Sequence, residues 1–524
     1  MPVLTAIDVL GVQRFVFQSN RLRDVVSGSY LVHWSTSEKG ALKDLTPTDK
    51  ILLAGGGNAI VETGSMDEAR SFAARYTRIL HDDAPGLEVA VVHKEYKDGD
   101  LASTLHGLQI ELAHAKTERF PSVPLLGLSV TASCRETGLV ACGFDKDEPT
   151  VPLSKGILSR RKKKDEAKRH WEAYLKDRDG FAFPIELDHL GRTMGDTSLI
   201  GVVHIDGNSV GGKITNWLKQ KSEDSTADDD LVRRQYREWS QAIDRLGQEA
   251  LQAVVNRLCR QVEKPAQDDT ETVMGRPKRL RFELKQKDGR WMLPLRPILL
   301  GGDDLTFVCD GRIAMDLAET ALGVFETSPI PHLGKITACA GVAVVRVHAP
   351  FARAYELADK LCASAKRMLK EKDDCGCALD WHIGACRPGE TVEGIRERQY
   401  RANGRRLTCR PYRLGSEKDE TETWRWLSGT LLDSKTVGLR EGAWSERRNK
   451  VKAFPELVRE GPDSVKAALE AWKVVDKRLQ LPQPIARNGF FDDTRTPLID
   501  ASDRRTPLID ALELIDLHLV LDAP

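Results

Sequence analysis

The stretch LLGGDDLTFV, Leu299–Val308, places two glycines and two adjacent carboxylates between two apolar runs. The apolar runs are typical of buried strands, and Gly-Gly-Asp is common in hairpin turns because glycine tolerates positive φ. A plain turn is therefore one interpretation. The other is a metal site, because adjacent carboxylates repel and a divalent cation allows both to stay ionised. The stretch predicts a hairpin and leaves both interpretations of its acids open.

The pattern of elements around this hairpin occurs twice along the chain. The first 150 residues predict a strand, a helix, a hairpin, a helix and a strand, with the hairpin turning at Gly55-Gly56-Gly57-Asn58. The same order returns after Leu199, where the hairpin turns at Gly301-Gly302-Asp303-Asp304. GGGN thus stands in the first copy where GGDD stands in the second. Similarity on this scale indicates tandem α/β domains.

Bulk composition excludes several classes of protein. A chain of 524 residues is too long for a single hydrophobic core and indicates about three domains. Lys and Arg total 78, as do Asp and Glu, so net charge predicts no attraction to nucleic acid or to a membrane. No apolar run approaches the roughly eighteen residues of a membrane span, and the N-terminus lacks a basic signal-peptide start. Ten scattered cysteines fit a reducing compartment, so we expect a cytoplasmic protein without membrane contact.

Three carboxylates are predicted to meet at one edge of the second sheet. Asp206 ends the strand LIGVVHID, and Asp303 and Asp304 lie in the turn of the neighbouring hairpin. Acids in this arrangement suit two divalent ions about 3.5–4 Å apart, which activate a hydroxyl and stabilise a leaving pyrophosphate. The glycines of the turn let a nucleotide approach the backbone closely. Lys366, near the end of a helix, is either a surface lysine or a contact for a triphosphate.

These residues carry a resemblance to a known family. IDGN at Ile205–Asn208, GGDD and LADKLCASAK at Leu357–Lys366 are similar to the ferredoxin-like palm of polymerases, nucleotide cyclases and GGDEF diguanylate cyclases. A narrower group of proteins is indicated by the stretch GVQRFVFQSNRLRDVVSGSYLV at Gly11–Val32 together with the GGGN palm. The whole set resembles the large, palm-containing subunit of type III CRISPR effector complexes, the cyclic oligoadenylate synthetase family.

The resemblance implies a fold and its division into domains. The fold class expected is α/β (α+β), with two tandem ferredoxin-like palm domains and a helical C-terminal domain. The predicted boundaries are a degenerate palm at 1–150, a basic connector at 151–195, a catalytic palm at 196–390 and a helical domain at 391–524. No HD nuclease domain with its His-Asp pair is recognised, so cleavage of single-stranded DNA is not expected.

The resemblance also implies an activity and a site. It implies a nucleotidyltransferase that joins a 3′-OH to the α-phosphate of ATP, with Mg²⁺ or Mn²⁺, and makes an oligonucleotide messenger in antiviral defence. A second ATP would lie at the first palm as acceptor, where Asp8 is the counterpart of Asp206 without partner acids. The implied metal and catalytic residues are Asp206, Asp303 and Asp304. The implied nucleotide contacts are Gly207, Asn208, Gly301, Gly302, Lys366, Gly56, Gly57 and Asn58.

Two other functions and several partners stay open. The chain is alternatively a non-catalytic, nucleotide-binding scaffold of an RNA-guided complex, or a diguanylate cyclase-like enzyme acting on GTP. Expected partners are CRISPR RNA and effector subunits, or else the chain works alone or as a homo-oligomer. The basic segment Ser159–His170 predicts either a solvated helix face or an RNA contact. Cys134 and Cys142 lack close CxxC spacing, so a hairpin with buried thiols is favoured over zinc.

Overall fold

The computed structural model describes residues 1–119, 127–146, 148–176, 178, 180–190, 199–224, 228–264, 270–372, 374–385, 387, 389–416, 420–491 and 505–521. Two mixed α/β halves with the same strand order occupy most of this length, and a helical segment follows them. Residues 191–198, which join the predicted connector to the second half, lie outside the described part. Within the described part, no helix is both long and apolar enough to cross a lipid bilayer.

The first half is a four-stranded antiparallel sheet with helices, in the strand order β2-β3-β1-β4. This is the ferredoxin-like order that the family resemblance implies. Strand β1 is buried almost throughout, because it lies at the centre of the sheet between β3 and β4. The strands are β1 (Val3–Leu10), β2 (Ile51–Gly55), β3 (Asn58–Thr63) and β4 (Glu88–Glu95). The helices are α1 (Val12–Val16), α2 (Leu22–Thr36), α3 (Met66–Asp83) and α4 (Leu101–Glu118).

The basic connector forms two short helices, α5 (Lys155–Lys162) and α6 (Lys164–Glu172), which pack on α2. Arg160 is fully buried and its guanidinium lies 4.3 Å from the ring of Phe15. Arg161 donates to Asp24 at 3.0 Å. The solvated-face interpretation is therefore wrong for these two arginines, because they hold the connector to the first palm. It holds for the exposed side chains of Lys162, Lys164 and Lys168.

The second half repeats the strand order and extends it. Its sheet has the order β6-β7-β5-β8-β9-β10, so the first four strands match the first half and β9 lies parallel to β8. The strands are β5 (Leu199–Gly207), β6 (Leu295–Leu300), β7 (Asp304–Asp310), β8 (Ala338–Arg346), β9 (Ala378–Ile383) and β10 (Tyr412–Arg413). The helices are α7 (Val210–Glu223), α8 (Asp229–Arg260), α9 (Ala314–Thr327) and α10 (Phe351–Glu371).

Helices cover both faces of the central strand β5, which explains its nearly continuous apolar sequence. Gly201 faces Ala314 of α9, whereas His204 faces Tyr355 of α10 at 5.3 Å between ring centroids. Since side chains alternate along a strand, Asp206 shares the α10 face with His204. The end of β5 thus directs an acid toward α10.

The C-terminal segment is mostly helical and is joined to the second palm. It supplies strand β10 beside β9, and Trp424 packs edge-on against Trp381 of β9 at 5.6 Å. Its core includes the fully buried Trp426 and Trp444. The helices are α11 (Val392–Gln399), α12 (Trp424–Trp426, continued by a π-helical turn Leu427–Leu432), α13 (Gly442–Ser445), α14 (Arg448–Val451), α15 (Phe454–Glu460), α16 (Pro462–Val475) and α17 (Leu508–Ile515).

Candidate active site

Asp206 and Asp304 lie directly opposite each other on neighbouring strands. The antiparallel register of β5 and β7 pairs Asp206 with Asp304, and this pair is the last of the ladder before the turn. Cross-strand partners of this kind bring their Cβ atoms about 4.5–5.5 Å apart. Two carboxylates at such a spacing destabilise the sheet unless a cation joins them.

The Gly-Gly turn places Asp303 beside the same strand end. Gly301 donates its backbone N–H to the carbonyl of Asp304 at 2.8 Å, and Gly302 has φ 82°, a conformation that favours glycine. Gly207 donates its N–H to the carbonyl of Asp303 at 3.1 Å. A Cβ added to Gly207 would lie 2.7 Å from Asp303 Oδ2, so the carboxylate rests on the bare Cα of this glycine. The turn and the end of β5 therefore form one unit.

Lys366 of α10 reaches the end of β5. Its Nζ contacts Asp206 Oδ2 and donates to the carbonyl of Gly207 at 2.6 Å. The structure thus brings together Asp206, Asp304 and Lys366, and it excludes the surface interpretation of this lysine. The ammonium partly offsets the negative charge of the acids. Asn208, in contrast, donates its amide N–H groups to Thr337 Oγ1 at 3.0 Å and to the carbonyl of Gly376 at 3.3 Å.

Lys366 offsets only part of the negative charge of the carboxylates at the turn. Burial, together with the neighbouring charges of Asp206 and Asp304, raises the pKa of Asp303 to about 7. Burial also raises the pKa of Asp304. Asp304 Oδ1 is buried and accepts no hydrogen bond from the described residues, although His204 Nδ1 is 3.4 Å away. Such an orphaned carboxylate oxygen is a ready cation ligand.

His204 and Asp359 complete the α10 face of the site, and of the two only Asp359 was missed by the sequence analysis. His204 Nδ1 lies 3.0 Å from Thr306 Oγ1, and its Nε2 lies 3.6 Å from Asp359 Oδ1. The imidazole is buried between the two carboxylates of Asp304 and Asp359. Period-two alternation from Asp206 places His204 on the same face of the strand, although the favoured interpretation from sequence was a histidine that is simply packed or exposed. The ring lies 3.4 Å from Asp304 without a hydrogen bond to it.

The turns of the two palms meet face to face. A Cβ on Gly56 would lie 2.9 Å from the carbonyl oxygen of Gly301, so the two glycine turns pack backbone to backbone. Beside them opens a cavity of about 820 Å³, which is large enough for nucleotides. It is lined by Gly55, Gly56 and Asn58 of the first palm, by Gly301, Gly302 and Asp303 of the second, and by α8. Gly57 and Asp304 line a smaller cavity on the other side of the turns.

Solved structures share the fold of this pair of palms. A crystal structure of Csm1 in T. onnurineus aligns over 99% of this chain and 70% of that chain, at 13% identity and a TM-score of 0.51. A Csm1–Csm4 cassette in complex with one ATP aligns over 100% and 70%, at 12% identity and a TM-score of 0.51. This chain has the Csm1 fold. The predicted fold class and the predicted likeness to a palm-containing large subunit are thereby confirmed at the level of the fold.

Further comparisons concern another solved structure, protein-family models and curated protein sequences. A Csm1–Csm4 cassette in complex with cA3 aligns over 99% of this chain and 70% of that chain, at 12% identity and a TM-score of 0.51. No protein-family model and no curated protein sequence matches the chain. Among these comparisons, the likeness to Csm1 is therefore one of three-dimensional structure.

The first palm of the Csm1 fold keeps a lysine–carboxylate pair that the sequence analysis missed. Lys116 Nζ contacts Asp8 Oδ2, as Lys366 contacts Asp206. Lys116 and Lys366 are both the sixteenth residue of their helices, α4 and α10. Asp8 lies opposite Asn58 in the register of β1 and β3, which makes it the structural counterpart of Asp206. The shared tetrapeptides AHAK and ASAK, which end at these lysines, were the available signal.

The donor chemistry of the second palm fits a hard divalent cation. Carboxylate and carbonyl oxygens, here of Asp206, Asp303, Asp304 and Gly207, are what Mg²⁺ and Mn²⁺ prefer. Among the described residues, no group of three or more His, Cys, Asp or Glu side chains is arranged as a metal shell, and Asp206 is paired with Lys366. Cys134 and Cys142, which were considered as zinc ligands, likewise belong to no such group among the described residues. They flank a hairpin in which Cys134 is buried and Cys142 is exposed, so the predicted burial of both thiols is wrong for Cys142.

The raised pKa of Asp303 predicts how stability depends on pH. Its pKa rises on folding from 3.8 to about 7, so the folded protein keeps a proton that the unfolded chain releases between those values. Stability should therefore fall as pH rises from about 4 to about 7. We expect the free energy of unfolding of Asp303→Asn, relative to wild type, to increase across this window and to level off above pH 7. Urea unfolding of both proteins in EDTA measures this difference. The contributions of groups that do not interact with Asp303 are the same in both proteins and cancel. Parallel curves would contradict it.

Proposed function

We propose that this chain is a metal-dependent nucleotidyltransferase that makes an oligonucleotide messenger from ATP in type III CRISPR-like defence. One observation carries the proposal. Asp303 lines a cavity of nucleotide size beside the touching glycine turns of the two palms, and it adjoins the facing acids Asp206 and Asp304 with their partner Lys366. The neighbours of the same fold include Csm1–Csm4 cassettes in complex with ATP, pppApA and cA3, which supports nucleotides as ligands of this face.

The chain's own residues suit transfer between two nucleotides. The acceptor would lie at Gly56 and Asn58 of the first palm, with its 3′-OH directed across the Gly56–Gly301 contact. The donor would lie at Gly301 and Gly302, where the bare backbone admits its phosphates. The bond from the 3′-oxygen to the α-phosphorus forms as the bond to pyrophosphate breaks, and the hydroxyl proton leaves to a carboxylate or to water. Lys366 would pair with the pyrophosphate charge once it leaves Asp206.

The acids of the second palm would hold Mg²⁺ or Mn²⁺. The chemistry supplied by such a cation is neutralisation of phosphate charge and a lower pKa of the attacking hydroxyl. Asp206, Asp303 and Asp304 are the residues that we assign to it. His204 would keep Asp304 oriented through its position between Asp304 and Asp359. Release of Asp206 from Lys366 would then accompany metal binding.

Analysis of products tests the proposal directly. Purified chain is incubated with ATP and Mg²⁺ or Mn²⁺, with and without a Csm4-like subunit and target RNA, and products are identified by liquid chromatography and mass spectrometry. Linear or cyclic oligoadenylate that depends on metal is the expected result. GTP alone in the same assay separates this activity from that of a diguanylate cyclase. The absence of phosphodiester products under all of these conditions would overturn the proposal.

A nucleotide-binding scaffold is the second candidate. It is favoured by the pairing of Asp206 with Lys366, since the lysine already offsets the charge of that acid. In that case ATP would bind without turnover, and Mg²⁺ would not increase its affinity. Equilibrium binding of a non-hydrolysable ATP analogue, in EDTA and in Mg²⁺, separates the two functions. A Mg²⁺-dependent gain in affinity favours the enzyme.

The lysine of the first palm should matter for the acceptor nucleotide. Lys116→Ala removes the cation next to Asn58, and loss of one charge-assisted contact weakens binding about tenfold. We therefore expect an apparent KM for ATP that is about tenfold higher, at an unchanged melting temperature. Steady-state rates over a range of ATP concentrations measure this effect. Lys360→Ala, which removes an exposed lysine paired with Glu356 at 2.8 Å, is the matched control and should change neither value. An unchanged KM for Lys116→Ala would contradict the assignment.

A further inference from the structure

A second concave site lies outside the cleft, between α2 and α6 of the first palm and its connector. It is a cavity of about 510 Å³. Aromatic side chains of α2 form one wall, a histidine and an arginine of α6 form the other, and a lysine stands at the rim. These residues are Tyr30, His33, Trp34, Lys39, Arg169 and His170. The volume suits a ligand as large as a nucleotide.

The walls of this aromatic pocket are flat faces of the kind that stack on nucleobases. Tyr30, His33 and Trp34 follow the i, i+3, i+4 spacing, so they share one side of α2. The rings of His33 and His170 are 4.4 Å apart, and those of Tyr30 and His170 are 5.7 Å apart. Burial lowers the pKa of His33, and burial together with nearby positive groups lowers the pKa of His170 to about 4. Both shifts favour the neutral form of the imidazole.

The charge of the aromatic pocket selects an anionic ligand. Its one lining carboxylate, Glu166, is offset by Lys163 at 3.0 Å and accepts a hydrogen bond from Tyr30 at 3.2 Å. Lys39 and Arg169 are exposed, and neither forms an ion pair with a described carboxylate. Lys39 and Arg169 line the pocket and Lys163 lies over the Trp34 ring at 5.6 Å, and these cations repel the ammonium ligands that aromatic cages otherwise bind. They suit a ligand with both an aromatic ring and a phosphate.

The aromatic pocket is adjacent to the active site. His33 and His170 also line the smaller cavity of about 140 Å³, whose other wall includes Gly301, Asp304 and Tyr355. The two histidines thus form a partition between the aromatic pocket and the catalytic turn. A ligand stacked on one side of this partition contacts residues whose other side faces Asp304.

We propose that the aromatic pocket is a separate nucleotide-binding site, which stacks a base on Tyr30, Trp34 and His170 and binds its phosphate with Lys39 and Arg169. The ligand is a nucleotide, either free or as the distal unit of an oligonucleotide whose other end lies at the catalytic turns. This site does not depend on turnover, because its residues are distinct from the acids of the second palm.

Photo-crosslinking maps the site without relying on activity. 8-Azido-ATP and an azido-labelled triadenylate are each bound to the full chain in EDTA and irradiated, and modified peptides are identified by mass spectrometry. We expect crosslinks within residues 30–40 and 163–170. Crosslinking by ATP alone would identify a free nucleotide as the ligand, and crosslinking by triadenylate alone would identify an oligonucleotide end. No crosslink in either segment would overturn the proposal.

Paired variants test the roles of charge and stacking. Lys39→Ala with Arg169→Ala should lower crosslinking at this site about tenfold, whereas crosslinks to α8 in the main cleft should not change. Lys162→Ala with Lys164→Ala removes two equally exposed cations of the same basic segment and should have no effect. Trp34→Leu should lower crosslinking similarly, with a melting temperature recorded for each variant. Equal competition by inorganic tripolyphosphate and by ATP would overturn base stacking, and unchanged crosslinking in the charge variant would overturn the site.

Discussion

Asp303→Asn combined with Asp304→Asn should abolish product formation, by on the order of 10³-fold, without loss of the fold. The two substitutions remove the charges that are assigned to the metal and keep the size of each side chain. Because burial and repulsion by neighbouring carboxylates already raise the pKa of both carboxyls, their replacement by amides should leave the melting temperature equal or higher. Rates of oligonucleotide synthesis and thermal melting at pH 8 measure both effects.

A matched control separates this effect from a general loss of charge. Glu470→Gln neutralises an exposed acid of α16 whose partner Lys466 is 3.9 Å away, and it should change neither rate nor melting temperature. A double variant that still synthesises product at the wild-type rate would exclude Asp303 and Asp304 from catalysis. A double variant that unfolds would show that the acids stabilise the turn, contrary to their raised pKa values.

Gly247→Ala should have the second largest effect, although this residue is in the middle of a helix far from the motif in sequence. A Cβ at Gly247 would overlap the carbonyl oxygen of Gly302, because α8 packs with its bare backbone against the Gly-Gly turn. The turn must then shift, and Asp303 shifts with it. Overpacking of this kind costs about 1–3 kcal/mol of stability. Displacement of a catalytic group by about 1 Å lowers the rate by roughly 10²-fold.

Gly323→Ala is the control for the helical glycine itself. Gly323 lies within α9, and a Cβ there would meet no atom of the described residues within 4 Å. Alanine should therefore stabilise the protein by about 0.5–1 kcal/mol, since glycine loses more backbone entropy on folding. Synthesis rates and urea unfolding of the two variants decide the matter. Wild-type activity in Gly247→Ala would show that the turn does not depend on the approach of α8.

The order of elements along each palm could be predicted because it follows from local patterns, whereas the ferredoxin-like order of the strands in the sheet was implied by the family resemblance. Apolar runs, two glycine turns and helical periodicity recur in the same order in both halves, and the structure repeats the strand order in both sheets. The carboxylates could be placed at a strand end and in a turn for the same reason. Lys116 could also have been found, since AHAK and ASAK stand at equal distances along their helices.

Contacts between distant segments could not be predicted in this way. The burial of Arg160 depends on Phe15, which lies far away in sequence, so the basic segment was interpreted as a solvated face. Gly247 carries no signal in the sequence, because its role exists only once α8 meets the turn. Asn208 was assigned to a nucleotide, yet its amide joins Thr337 and Gly376. That assignment remains a prediction for the bound state.

The sequence by itself determined two palms of one pattern, an acidic turn in the second and an acid-free turn in the first. These features are local, because turn chemistry and alternation depend on neighbouring residues. Tertiary structure alone decided that the two glycine turns touch, that Lys366 pairs with Asp206, and that α2 and α6 enclose an aromatic pocket. Such contacts join residues more than a hundred positions apart, and packing of the whole chain selects them.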